Sequence, residues 1–138
     1  LLFSVRDQGY RERILAEQAL TRGRFLENLA GQGSVPAEAN DLFLLGLFSL
    51  LDLLLGLPLA EIVARVKLPD AVGEALLGGQ SAWRDALDLA LAYESGDETR
   101  LGEAAARCGI DAGRVTDAAL DALGWTREIT SIEENEAG

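Results

Sequence analysis

A chain of 138 residues, 49% hydrophobic and 25% charged, has enough apolar surface for one domain with a core of its own, and its composition excludes disorder. Its 23 acidic residues against 12 basic ones leave a net charge of −11. That charge argues against nucleic acid and anionic membranes as partners, because both are held by Lys and Arg. The apolar supply is chiefly Leu and Ala with only three prolines, so an all-α fold is predicted.

The first residues, "LLFSVRDQG", show no charged n-region and no cleavage site, so no signal peptide is predicted. They read as the remnant of a preceding helix, and the chain as a fragment of a larger protein. A helix follows from about Tyr10 to Ala30, with Leu15, Ala19, Leu26, Leu29 and Ala30 on one face and glycines 31 and 33 as its stop. Arg22 stands seven positions after Leu15 and four before Leu26, which puts a charge inside the apolar stripe; Arg11, Arg13 and Arg24 fall elsewhere.

A second helix is predicted through "SVPAEANDLFLLGLFSLLDLLLG", capped by Ser34 with Pro36 close behind and ended by Gly56 and Pro58. Next come a short helix with Leu59, Ile62, Val63 and Val66 facing inward, ending before Pro69, and another closed by Gly78-Gly79. Behind a Ser81 cap, Leu87, Ala90 and Leu91 mark a further helix. "ETRLGEAAARCGID" and "DAGRVTDAALDALGWTREI" supply two more, the last from about Ala112 to Glu128. No period-two alternation persists, so no strand is predicted. The reading is one compact α-helical domain of about six to eight short helices over 1–128 around a central apolar helix. The acidic tail 129–138 has little to bury and is expected to fray.

The run "LFLLGLFSLLDLLLGLPL" (42–59) looks at first like a membrane anchor. A membrane span needs about 20 apolar residues with no central charge. Here Asp52 interrupts the leucines and Gly56-Leu57-Pro58 breaks the helix soon afterwards. Asp41 and Glu61 flank the run where basic anchors would be wanted. A helix apolar on all sides is one surrounded by other helices, so the run is predicted to be the core helix. Arg22 and Asp52 are then two charges in apolar surroundings, expected to meet as a structural pair or each to find another partner at the helix junction.

Four segments in order, Arg22-Gly23-Arg24-Phe25, Leu44 to Asp52, Gly56 to Leu59 and Ala92 to Asp97, resemble the C-terminal half of an HDOD (HD-related output) domain. The likeness is to those that accompany EAL domains in bacterial cyclic-di-GMP signalling proteins, and it covers roughly Leu15 to Trp125. It implies an HD-like helical arrangement in a cytoplasmic regulatory module whose partners are its own EAL domain or another signalling protein. Active HD phosphohydrolases carry a His-Asp pair on the corresponding helix. Aligned on Gly46, Ser49 stands at the His position and Leu50 at the Asp position, so the resemblance implies a lost metal site. Independently of any resemblance, the chain contains no His, and a His-Asp metal site cannot be built without one.

Other chemistry finds little support. The Gly-rich pieces "GQGS" and "LLGGQ" lack the Lys and the preceding strand of a phosphate loop. "DAGRVTDAALDA" lacks the alternating acids of a calcium loop, and Glu133-Glu134 lie in the solvated tail. Trp83, Trp125, Phe25 and Tyr93 read as core or rim aromatics. The single Cys108 excludes an internal disulfide, suits a reducing cytoplasm and reads as a small buried thiol near a helix end. The expectation is a noncatalytic regulatory and interaction domain without metal or cofactor, prone to self-association through surface that a missing first half would cover. The alternative is a divergent HD-type metal-dependent phosphohydrolase.

Overall fold

Leu26, on the apolar face of the first long helix, and Leu29, just past its end, are fully buried, and the rest of the chain is arranged around them. The computed structural model describes the backbone of residues 2–137 and the side chains of residues 9–131. Among the described residues all regular structure is helical, as composition predicts. The eight helices are α1 (Leu2–Asn28), α2 (Ala39–Phe48), α3 (Leu51–Leu55), α4 (Leu59–Arg65), α5 (Asp70–Leu76), α6 (Ala82–Ser95), α7 (Glu98–Cys108) and α8 (Ala112–Ala137).

Helix α1 runs unbroken from Leu2, so the backbone of the first residues belongs to the same helix that follows. The expectation that "LLFSV" is the remnant of a preceding helix is thereby corrected for the backbone from Leu2; the side chains of this segment lie outside the described residues. At the other end, α8 carries the backbone past Glu128 to Ala137; the side chains of Glu133 and Glu134, in the tail expected to fray, also lie outside the described residues. With 27 and 26 residues, α1 and α8 are long rather than short, and they pack along one another.

The apolar run does not form one helix. Ser34 does not cap it: Ser34 N–H donates to the Cys108 carbonyl at 2.9 Å, and the helix starts only at Ala39. The chain then breaks at Ser49 and Leu50, where the Ser49 hydroxyl donates to the Gly46 carbonyl at 2.6 Å. A hydroxyl bonded back onto its own helix competes with the ladder and bends it. Leu42 and Leu45 are fully buried, while the short α3 beyond the break has no buried residue and exposes Leu53 and Leu55. The core helix is therefore α2 alone. In α4, Ile62 is buried as predicted, but Val66 lies past the helix end and is 39% exposed.

Helix α2 crosses α1 at two glycines. A Cβ on Gly46 would sit 2.6 Å from the Gly23 Cα and N, so backbone rests directly on backbone. The connection between α1 and α2 is pinned from the far side. Gly33 has φ +54°, and a Cβ there would lie 2.1 Å from the Cys108 carbonyl oxygen, so only glycine fits. Around this crossing, α5 packs on α2 and α6, and α6 packs on α7, closing a core of Val72, Ala75, Leu89, Ala104, Val115 and Ala122. The predicted Ser81 cap of α6 is present, its hydroxyl accepting from Arg84 N–H at 3.2 Å. Asp97 and Asp111 accept the Arg100 and Arg114 N–H groups in the same way at the starts of α7 and α8.

Cys108 is 1% exposed at the end of α7, as its local sequence suggests, with its thiol 3.4 Å from the Asp85 carbonyl. Burial pushes this thiol up to about 11, with the Asp85 charge acting in the same direction. The fold thus holds the thiol proton more tightly than the unfolded chain does. The resulting stability is complete below the unfolded thiol value of about 8.5 and is lost as pH rises towards the folded value. Folded protein at about pH 8 should resist alkylation by iodoacetamide and label fully in denaturant, as intact mass will show.

The glycine crossing gives a second test. Gly46→Ala should cost about 1–3 kcal/mol through overpacking. Gly102→Ala, on the exposed face of α7 with nothing within 4 Å, should stabilise by about 0.5–1 kcal/mol. Urea unfolding of the two variants should move the midpoint in opposite directions.

Candidate functional site

The charge that the helical arithmetic placed in the apolar stripe of α1 is buried: Arg22 is 6% exposed. Its guanidinium forms a two-pronged pair with Glu94 at the end of α6, Nε donating to Oε2 at 2.7 Å and Nη2 to Oε1 at 2.6 Å. Nη1 donates to the Ser49 hydroxyl at 2.8 Å, and the Ser49 hydroxyl in turn donates to the Gly46 carbonyl. Gln18, one turn before Arg22, donates to Glu94 Oε1 at 2.8 Å. Among the described residues no buried side-chain nitrogen or oxygen lacks a partner. One guanidinium thus joins α1, α6 and the break after α2. The bidentate form is the strong geometry for Arg and carboxylate, and it offsets the cost of burying the charge.

Asp52 is not part of this network. It is half-buried in the first turn of α3, where its charge favours the helix N-terminus, and its backbone carbonyl accepts from Gly56 N–H. On a continuous helix Asp52 would lie three residues beyond Ser49 on the same face and would reach Arg22. The break at Ser49-Leu50 removes that register, and Glu94 takes the place expected of Asp52. The signal for Glu94 was in the sequence. It lies seven positions after Leu87 and four after Ala90, a helical spacing of the kind that singled out Arg22.

Leu50 is 6% exposed and starts α3 with φ −112° and ψ −1°. Ser49 and Leu50 therefore occupy the junction between two helices rather than the middle of one packed helix. Ser49 has no base to activate it, since its partners are a guanidinium and a backbone carbonyl. Among the described residues no group of three His, Cys, Asp or Glu side chains converges in metal-binding geometry.

Three of the four segments that carry the HDOD resemblance meet at this point. In Arg22 to Phe25, Arg22 forms the hub and Gly23 makes the close crossing with Gly46. Arg24 binds Glu27 and Asp121 while lying 5.4 Å from the centre of the Trp125 ring, and these two carboxylates raise its affinity for the proton. Phe25 stacks on Tyr93 with ring centres 5.8 Å apart. In Ala92 to Asp97, Tyr93 supplies that stack, Glu94 the ion pair, Gly96 the positive φ ending α6, and Asp97 the cap of α7. In Leu44 to Asp52, Gly46 and Ser49 complete the crossing and the hydrogen-bond chain.

Outside the hub, a groove of about 670 Å³ opens between α1, α6 and α8. Arg22, Glu94 and the Thr21–Thr126 hydroxyl pair, at 2.7 Å, belong to its lining. Thr126 is 4% exposed, a buried hydroxyl that sequence reasoning did not single out, although it stands four positions after the core residue Ala122.

The site is thus a structural ion-pair junction beside an open groove, in an all-α chain. Over 111 residues the chain is 34% identical to an uncharacterized protein, YuxH, of Bacillus subtilis, a match covering 80% of this chain and 26% of that protein. Over 114 residues it is 27% identical to the cyclic di-GMP phosphodiesterase CdgJ of Vibrio cholerae, covering 83% and 26%. The chain therefore spans about a quarter of the length of the curated relatives it matches. No family model and no solved structure matches it. No helix among the described residues is long and apolar enough to cross a membrane.

The junction is open to a double-mutant cycle. Arg22→Met strands part of Glu94, whose side chain is 29% exposed, and should cost up to about 3 kcal/mol. Combined with Glu94→Leu the loss should be well below the sum of the two single losses, whereas Arg22→Met and Asp52→Leu should simply add. Chemical denaturation of the variants will show which pair is coupled.

Proposed function

We propose that this chain is a noncatalytic regulatory and protein-interaction module of the HDOD type, part of a bacterial signalling protein, and linked to an EAL domain in cyclic-di-GMP signalling. The observation that carries the proposal is the state of Ser49 and Leu50. On the HDOD alignment these residues hold the positions of a metal-binding His and Asp. One is a hydroxyl engaged by Arg22 and the Gly46 carbonyl, and the other is a buried apolar side chain. A guanidinium 2.8 Å from the would-be ligand also makes the position hostile to a cation. The absence of any His from the chain supports the same reading, as does the similarity to a protein named as a cyclic di-GMP phosphodiesterase.

On this reading the helices keep the shape of an HD-type domain while a salt-bridged junction replaces its metal chemistry. Any hydrolysis of cyclic-di-GMP belongs to the EAL portion of the parent, and this module acts on it, or on another signalling protein, through its surface. The purified chain, given Mg²⁺ or Mn²⁺, should neither take up stoichiometric metal nor hydrolyse cyclic-di-GMP, and fusing it to an EAL domain should change that domain's rate. Turnover by the isolated chain that disappears in Ser49→Ala would revive the divergent phosphohydrolase.

A further inference from the structure

We propose that the groove between α1, α6 and α8 is a homodimer interface, in which the α8 ridge of one copy enters the groove of a second copy and receives that copy's ridge in return. Ile14 on α1, Tyr93 on α6, and Leu120 and Leu123 on α8 all line the groove. They are 42%, 38%, 61% and 41% exposed, an unusual concentration of large apolar side chains on one face. Leu120 and Leu123 are three residues apart, so they form a ridge along α8 beside the hollow.

The charges of the groove select a second copy as its occupant. Arg22 and Glu94 neutralise each other at the junction. Glu17 belongs to the α1 wall and Arg127 to the α8 wall, and neither makes an ion pair among the described residues. A two-fold interface brings each residue's surroundings against their own rotated image, so it is favoured where a patch carries both signs on opposite walls. Glu17 of each copy then meets Arg127 of the other. The balance matters because the chain as a whole carries −11, which repels a second copy at most of its surface. This groove, with two acids and two bases, is neutral.

Sedimentation equilibrium of the intact chain, followed by light scattering over a range of concentrations, tests the proposal. The wild-type chain should be in monomer–dimer equilibrium at micromolar concentration. Leu120→Glu with Leu123→Glu, at exposed positions, should keep the wild-type melting temperature and be monomeric. Glu17→Arg alone and Arg127→Glu alone should each weaken the dimer roughly tenfold or more, and the two together should recover most of that loss. A wild-type chain that stays monomeric at high micromolar concentration overturns the proposal. So does a dimer that the leucine variant leaves intact, or a charge swap that fails to recover affinity while both single variants melt as wild type.

Discussion

A guanidinium taken out of water must find its hydrogen bonds inside the protein, and the arrangement of this molecule follows from how Arg22 finds them. Glu94 supplies two acceptors from α6, and Ser49 supplies a third from the end of α2. Each partner arrives on a different helix, so the requirement of one side chain fixes where three elements meet. The same geometry explains the break in the apolar run. Ser49 accepts from Arg22 while bonding back to Gly46 where α2 gives out, and the run resumes as the separate helix α3.

The crossing of α1 and α2 at Gly23 and Gly46 serves the same end. With no side chain on either residue the helices approach until backbone meets backbone, which brings Ser49 within reach of Arg22. Phe25 on α1 and Tyr93 on α6, the neighbours of Arg24 and Glu94 in sequence, stack on each other across the same pair of helices. Residues that look unrelated in sequence, an Arg and a Gly in α1, a Gly and a Ser in the apolar run, and an aromatic and a Glu in α6, are neighbours solving one electrostatic problem.

Much of this was legible before the structure. Helical periodicity located the buried face of α1 and the intrusion of Arg22, while residue type at a helix end located the Ser81 cap and the burial of Cys108; all of these are local to a single element. Less legible were features set by contacts between distant elements. The stop at Ser49 depends on a guanidinium 27 residues away, and the late start of α2 depends on Gly33 lodging against the Cys108 carbonyl. Asp52 is the partner of Arg22 only if the unbroken apolar run is also an unbroken helix, which the Ser49-Leu50 junction prevents. Glu94 obeys similar helical spacing, but an acid near the end of a helix has the same pattern as ordinary solvated charge, so spacing alone does not distinguish the two.

The pairing of the first helix with the last has a consequence for the order in which the chain assembles. Arg22 and Ser49 are 27 residues apart, whereas Thr21 and Thr126, which join α1 to α8, are 105 apart. The entropy of loop closure rises with the logarithm of length, so the longer closure costs about 1.2 kcal/mol more. The α1–α2 crossing and its Arg22–Ser49 hydrogen bond are thus the cheaper nucleus, and α8 docks on a scaffold already in place. Native contacts made late in folding are those whose loss mainly accelerates unfolding. The α8 wall, rather than the α1–α2 crossing, therefore governs how long the folded chain survives before it opens.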